Sequence, residues 1–216
     1  MMHVRFSLIT ADPRVLAGCL GFLTGEARPV LESQHGNLGL SLLADEEPGV
    51  AIVESFWATH ADFWLSQETD DLVRGELARR VGRPVAAEDF QVPVFEREAP
   101  LRSGEAVRLT RVEVKPPGVP DVIDVFGDTA VPELADTPGF CGALLFAAPA
   151  CGQLISQTAW REPDVRTASP SVASVLRREV LPEEDCEIRG VEDYHLIFSS
   201  ARKPTVPPDH DATARQ

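Results

Sequence analysis

Short apolar runs, separated by turn-forming residues, recur in the same order in the two halves of the chain. Runs of this length that are rich in β-branched and aromatic residues and bounded by Gly or Pro predict strands. In the first half they are VRFSLIT (4–10), LGLSLLA (38–44), VAIVESFW (50–57) and FQVPVFE (90–96). In the second half they are VRLTRVEV (107–114), CGALLFAA (141–148), QLISQTAW (153–160) and YHLIFSS (194–200).

Two helices are predicted in each half, one after the first strand and one after the third. The first is punctuated by prolines and ends near Glu32 in one half and near Ala135 in the other. The second is predicted over 60–81 and over about 171–181, where prolines delay its start because proline disrupts a helix interior. The resulting order β-α-β-β-α-β is that of a ferredoxin-like split unit.

The two halves also match residue by residue. At an offset of 103, residues 4–96 lie on 107–199 without a gap. This register gives about 17 identical pairs, where unrelated sequences of this composition would give roughly 6 or 7. The pairs include three glycines and a tryptophan: Gly36/Gly139, Gly39/Gly142, Gly49/Gly152 and Trp57/Trp160. We therefore predict a tandem duplication.

The predicted unit determines how the halves should pack. A four-stranded sheet with both helices on one face leaves its other face bare, and that face includes apolar residues that must be buried. We predict an α+β protein of two tandem ferredoxin-like repeats that form an intramolecular dimeric α/β barrel. The two repeats would act as a pseudo-dimer, and the sequence does not decide whether two chains also form a homodimer. The predicted boundaries are a repeat at 1–96, a linker at 97–106, a repeat at 107–200 and a disordered tail at 201–216.

Composition and charge exclude several classes of partner. A net charge of −14 and a pI near 4.7 disfavour nucleic acid and anionic membranes, which bind clustered Lys and Arg. No apolar run approaches the roughly 20 residues of a membrane span, and the first residues carry no secretory-signal pattern. We therefore expect a cytoplasmic protein whose partner is a small molecule.

Motifs for a metal or a bound nucleotide are absent from the sequence. The four cysteines show no C-x-x-C spacing, and the five histidines show no spacing typical of metal ligands. No G-x-G-x-x-G or phosphate-binding loop occurs. We expect no metal and no tightly bound cofactor. Reduced flavin supplied by a partner reductase stays compatible with this pattern, because a diffusing flavin needs no sequence fingerprint.

A β-α-β-β-α-β unit whose third strand ends in tryptophan resembles the antibiotic biosynthesis monooxygenase family, in which two protomers pair their sheets into a dimeric α/β barrel. The family tryptophan falls on Trp57 and Trp160. Quinone-forming members carry an asparagine four residues earlier, where this chain departs with Val53 and Ser156. The histidine of haem-degrading members falls on Gln67. The resemblance therefore implies an oxygenase of aromatic polyketide or angucycline tailoring rather than a haem enzyme.

Oxygenation without a metal requires a base that removes a proton from the substrate. The substrate anion can then pass an electron to molecular oxygen, the co-substrate, in a pocket that excludes water. The segment SFWATHADFW (55–64) supplies aromatic walls and an imidazole. We expect His60 to be the base, because imidazole titrates near neutrality. Trp57 would flank the substrate, and Asn37 or Glu54 would hold the oxyanion. A solvated histidine, a core tryptophan, a turn asparagine and a surface glutamate are the plainer interpretations.

The residues expected to bind the substrate come from both halves: Phe56, Phe63, Trp64, Trp160, Gln157 and His195. Trp64 follows His60 by one helical turn and shares its face. Arg166 and Tyr194 are further polar candidates, although Tyr194 and His195 are strand neighbours that cannot line one pocket. The second half lacks equivalents of His60 and Trp64, so we expect catalysis in the first half.

The function that follows is an oxygenase of antibiotic biosynthesis acting on a polycyclic phenol, anthrone or quinone. It would form a quinone or cleave a ring carbon–carbon bond. Two alternatives stay open: a non-catalytic protein that holds a hydrophobic small molecule in the same pocket, and a polyketide cyclase. Oxygen uptake separates the oxygenase from the binding protein, and a cyclase would work without oxygen.

Overall fold

Eight antiparallel strands form the scaffold, and they close into one barrel in the order β1-β3-β2-β8-β5-β7-β6-β4. The structure is a computed structural model that describes residues 1–97, 99–163, 175, 178 and 186–204. The strands are β1 Met2–Thr10, β2 Asn37–Asp45, β3 Val50–Trp57, β4 Ala86–Arg97, β5 Ala106–Val114, β6 Phe140–Ala148, β7 Gln153–Trp160 and β8 Cys186–Ser199. Every predicted strand is present, and β4 and β8 begin earlier than their apolar runs indicated.

Each half contributes four adjacent strands, β4-β1-β3-β2 from the first and β8-β5-β7-β6 from the second. The halves are joined where β2 pairs with β8 and where β4 pairs with β6. The predicted α+β class is therefore confirmed, with an eight-stranded antiparallel barrel at its centre. The strand order is the same in both halves, while their origin by tandem duplication stays a prediction.

The first helical segment of each half contains a π-helical turn at the corresponding place. In the first half, α1 (Pro13–Phe22) and α2 (Arg28–Glu32) flank the turn Leu23–Ala27. In the second, a 3-10 turn at Pro116–Gly118 precedes α5 (Val119–Val125), the π-helical turn Phe126–Ala130 and α6 (Val131–Ala135). The predicted helix ends at Glu32 and Ala135 are confirmed.

The helix predicted over 60–81 consists of two helices, α3 (His60–Leu65) and α4 (Gln67–Val81). Ser66 separates them, and its hydroxyl donates to the Phe63 carbonyl at 2.8 Å, a local bond that competes with regular helix. The helix predicted over about 171–181 and the candidate Arg166 lie outside the described residues, apart from 175 and 178. In the part of the chain that the structure describes, no helix is both long and apolar enough to cross a membrane.

Alternate residues of each strand face either the barrel interior or the helices. The interior core combines side chains of both halves, such as Phe6, Phe56 and Phe146. Two further apolar clusters lie on the helix side, one in the first half around Leu16 and one in the second around Val122. The sheet face that each predicted unit leaves bare is thus buried against the other half.

The segments that follow β4 and β8 pack on one end of the barrel. Leu101, within the predicted linker, is buried and belongs to the interior core. Residues 201–204, predicted to begin a disordered tail, stay attached, since the Arg202 N–H donates to the Leu38 carbonyl at 2.9 Å. Residues 205–216 lie outside the described part of the chain.

Candidate active site

Strand β3 carries three residues predicted to act together, and its pleat separates them. Phe56 faces the barrel interior and so does Glu54, which shares its side of the strand, whereas Trp57 faces the helices. Side chains on opposite faces of a strand cannot line one pocket. Glu54 and Trp57 therefore do not line one pocket, and the expectation that both act on one substrate relied on nearness in sequence rather than on the period of the strand.

Trp57 and Trp160 end β3 and β7, and both are buried. Each indole N–H donates to a hydroxyl two residues earlier, from Trp57 to Ser55 Oγ at 3.3 Å and from Trp160 to Thr158 Oγ1 at 3.1 Å. Buried indoles usually require such partners. Packing and these bonds account for both side chains, and their predicted contacts with a substrate stay predictions.

Asn37 begins β2 in register with Trp57 and is buried. Its Oδ1 accepts the Gly39 N–H at 2.7 Å, next to a backbone with a φ of 102° that favours glycine. Its Nδ2 has no hydrogen-bond partner among the described residues. The Asn37 oxygen therefore stabilises the turn, as expected for a turn asparagine, while the Asn37 nitrogen is a buried donor without a partner among the described residues.

A cavity of about 220 Å³ lies between α3, β4 and the turn that joins β6 to β7. Its lining residues are His3, His60, Phe63, Trp64, Asp89, Phe90, Gln91 and the segment 147–150. The cavity thus brings together three predicted residues, His60, Phe63 and Trp64, and adds His3. Two larger depressions of about 510 and 310 Å³, elsewhere on the described surface, are lined by no histidine.

Two imidazoles meet in this cavity. Trp64 Nε1 donates to His60 Nε2 at 2.7 Å, and the centroid of the His60 ring lies 5.0 Å from that of His3. Burial, followed by the nearby His60, lowers the pKa of His3 from its usual value. Phe63 is buried beneath the two rings, and Trp64 is 54% exposed at the rim. The predicted face shared by His60 and Trp64 is confirmed.

A buried arginine that no sequence motif indicated supports this cavity. The guanidinium of Arg5 lies 4.2 Å from the centre of the Phe63 ring. It forms an ion pair with Asp70 of α4, and its Nε lies 3.1 Å from Asp89 Oδ1. These contacts hold two lining residues, Phe63 and Asp89, against β1. A permanently charged residue at a helix-facing position, with no other Lys, Arg, Asp or Glu in the strand, is the signal that could have found it.

Glu54 and Gln157 approach each other inside the barrel, and both are completely buried. None of their four side-chain polar atoms forms a hydrogen bond within the described part of the chain. Burial raises the pKa of Glu54 to about 7, although Arg97, Gln157 and Ser41 each act to lower it. Burial likewise lowers the pKa of Arg97 to about 10. This buried acid and amide are separate from the cavity that contains His60.

The remaining predicted residues do not line the cavity. Phe56 lies in the barrel interior, 6.2 Å from Phe95 between ring centroids. His195 is exposed on β8 while its neighbour Tyr194 is buried in the interior core, as strand alternation predicted. Of ten predicted site residues, therefore, the structure gathers His60, Phe63 and Trp64 in one place and distributes the others over the core and surface.

Sequence comparison yields relatives but no family assignment. No family model matches the chain. Two uncharacterized proteins of Mycobacterium tuberculosis resemble it over nearly its whole length. One is 26% identical over 205 residues, which are 94% of this chain and 87% of the relative. The other is 24% identical over 204 residues, which are 94% of this chain and 91% of the relative.

Solved structures share the fold at low sequence identity. A protein described as anthrone oxidase-like superimposes with a TM-score of 0.62 at 14% identity, covering 95% of this chain and 96% of its own. A monooxygenase-like protein of Listeria innocua gives 0.53 at 12%, covering 90% and 93%. A ferredoxin-fold protein of Listeria monocytogenes, related to antibiotic biosynthesis monooxygenases, gives 0.51 at 10%, covering 90% and 95%. These likenesses show the fold alone.

Proposed function

We propose that this protein is an oxygenase that oxidises a phenolic aromatic small molecule, of the anthrone type, with molecular oxygen and without a metal. The observation that carries the proposal is the cavity in which His3 and His60 lie against Phe63 and Trp64. Imidazole is a suitable general base near neutral pH, and aromatic walls suit a planar substrate. The shared fold with an anthrone oxidase-like protein supports the same reading.

The reaction balances with oxygen as the only oxidant. An imidazole removes a proton from the anthrone, and the resulting anion passes one electron to oxygen. The two radicals combine at the ring carbon that lost the proton, which gives a hydroperoxide. Loss of the second proton from that carbon breaks the oxygen–oxygen bond and releases water. One anthrone and one oxygen molecule thus give one anthraquinone and one water, and no flavin is required.

The size of the cavity limits how the substrate binds. Its volume of about 220 Å³ is below the roughly 300–1,000 Å³ of pockets that enclose drug-sized ligands. We expect the reacting ring to lie over the outer side of the imidazoles, which cover Phe63, while the remaining rings contact the exposed face of Trp64. Substrate contact would then displace water from the rim, which favours the anion-forming step.

Oxygen uptake by the purified chain tests this function directly. With 1,8-dihydroxyanthrone and no added flavin or metal, we expect one oxygen consumed per quinone formed, followed by electrode and by absorbance. The double variant His3→Ala/His60→Ala should lower the rate by at least about 100-fold, the usual contribution of a general base. His195→Ala is the matched control and should leave the rate unchanged, because His195 lies away from the cavity.

The open rim favours one rival function, since Trp64 is 54% exposed before any ligand binds. A non-catalytic carrier would hold the aromatic molecule against Trp64 and quench its fluorescence without consuming oxygen. Quenching without oxygen uptake by the native chain would therefore support the carrier and exclude the oxygenase for that ligand. Turnover that persists under argon would point to a cyclase.

A further inference from the structure

The bond between Trp64 and His60 determines which nitrogen of His60 carries a proton. An indole N–H can only donate, so His60 Nε2, 2.7 Å from Trp64 Nε1, accepts through its lone pair. A neutral imidazole has a single N–H, which must then be on Nδ1. In this arrangement His60 offers other molecules a donor. Its accepting nitrogen is already occupied.

His3 is the imidazole whose lone pair remains for a substrate. Its ring centroid lies 5.0 Å from that of His60 and 5.7 Å from that of Phe63, so it shares the cavity with both. Neither of its ring nitrogens forms a hydrogen bond with another residue that the structure describes. Burial, His60 and the N-terminal amino group lower the pKa of His3, while Asp89 acts to raise it. The net effect favours the neutral ring.

We infer that His3 is the base of this cavity and that His60, held by Trp64, is a hydrogen-bond donor to the substrate oxyanion. This division of roles rests on the proposed function. His3 takes the place of His60 as the base. The sequence favoured His60, but the accepting nitrogen of His60 is bonded to the Trp64 indole. A donor at Nδ1 stabilises the anion that His3 creates, so each imidazole performs one of the two tasks.

Nitrogen-15 NMR of the full-length chain tests the tautomers without any substrate. Near pH 7.5 we expect His60 to be protonated at Nδ1 and unprotonated at Nε2. Trp64→Phe should move His60 towards the Nε2–H tautomer that free histidine prefers, whereas Leu65→Ala, an exposed neighbour on the same helix, should not. A His60 ring protonated at Nε2 in the unsubstituted protein would overturn the assignment, whatever the activity.

Oxygen uptake with 1,8-dihydroxyanthrone then separates the two imidazoles. His3→Gln should lower kcat about 100-fold with little change in KM, since a glutamine cannot take the proton. His60→Gln should lose only a few-fold, because its amide N–H can still donate, while His60→Ala should lose more. Added imidazole should restore part of the rate of His3→Ala and none of that of His60→Ala.

The outcomes distinguish this inference from the proposed function. If His3→Gln retains the full rate while His60→Gln loses it, His60 is the base and the inference is wrong. If the unsubstituted protein consumes no oxygen although the NMR tautomers are as expected, the oxygenase function fails and the donor state of His60 stands. The acid limb of the pH–rate profile should disappear in His3→Gln if His3 is the base, and should persist if it is not.

Discussion

The two halves place an arginine at the same point of their first strands and surround it differently. Arg5 of β1 has 4% of its side chain exposed and pairs with Asp70, which is 6% exposed. Arg108 of β5 pairs across the strands with Asp193, and the two are 25% and 40% exposed. Because the strand order is the same in both halves, the difference in exposure between the two arginines comes from the elements packed over their strands. In the first half, α4 supplies the buried carboxylate.

A second contrast lies inside the barrel, where the halves contribute Glu54 and Gln157 at corresponding positions of β3 and β7. Only one of the two can ionise. An ionised pair of carboxylates here would repel in a medium of low polarity, whereas an amide adds no second charge. At these corresponding positions the two halves therefore carry different chemistry, one ionisable side chain and one neutral side chain.

The largest expected effect separates the two arginines. Arg5→Met preserves most of the side-chain volume but leaves Asp70 as an unpaired buried carboxylate, which should cost about 3–5 kcal/mol in the free energy of unfolding. Arg108→Met removes a partly exposed pair and should cost less than about 1 kcal/mol. Urea unfolding monitored by circular dichroism measures both, and equal losses would contradict the contrast.

The control for this comparison is Arg5→Met combined with Asp70→Asn, which removes both charges. Most of the lost stability should return, because the penalty comes from the unpaired charge rather than from a missing contact. If the double variant is as unstable as Arg5→Met alone, the cation–π contact with Phe63 is the main role of Arg5.

The next largest effect is a change in the free energy of unfolding with pH, caused by the titration of Glu54. Burial raises the pKa of Glu54 from the ordinary value of 4.5 to about 7 in the folded protein, so the folded state binds the proton more tightly. This contribution to stability is complete below pH 4.5 and is lost as pH rises through about 7. At about 1.4 kcal/mol per pKa unit, it amounts to about 3 kcal/mol.

Glu54→Gln tests the pH effect, since it keeps the shape and hydrogen-bonding capacity of the acid while removing its titration. Its unfolding free energy should fall less steeply than that of the native chain between pH 5 and about 8. The exposed Glu46→Gln should retain the native slope. An unchanged slope in Glu54→Gln would mean that Glu54 does not titrate in this range.

The smallest effect concerns cysteine reactivity, which should differ between the halves without changing stability. The thiol of Cys19 in the first half is buried, and burial raises its pKa. In the second half, burial raises the pKa of Cys141 to about 11, with Glu105 adding to the shift, whereas Cys151 is exposed. Cys186 is buried as well, so iodoacetamide should label the native chain at Cys151 alone, as mass spectrometry would show. Labelling at Cys19 would indicate that the first half opens.

Local signals in the sequence predicted the elements of the fold and one contact of the site. Apolar runs located all eight strands, prolines and glycines located the ends of α2 and α6, and a spacing of four predicted the contact between His60 and Trp64. Nearness in sequence was misleading for Glu54, whose distance of three residues from Trp57 puts the two on opposite faces of β3. No local signal indicated His3, which stands 57 residues before His60 and approaches it only after β1 pairs with β3.

The order of residues by itself determined the kinds of elements, their succession and the face of each strand that had to be buried, because these depend on periodicity and on the backbone preferences of Gly and Pro. Tertiary structure alone decided which side chains became neighbours. Closure of the barrel placed Glu54 beside Gln157, and the packing of α3 and α4 on β1 buried Arg5 and brought His3 to His60. These contacts join residues distant in the chain, and no local pattern encodes the distance between them.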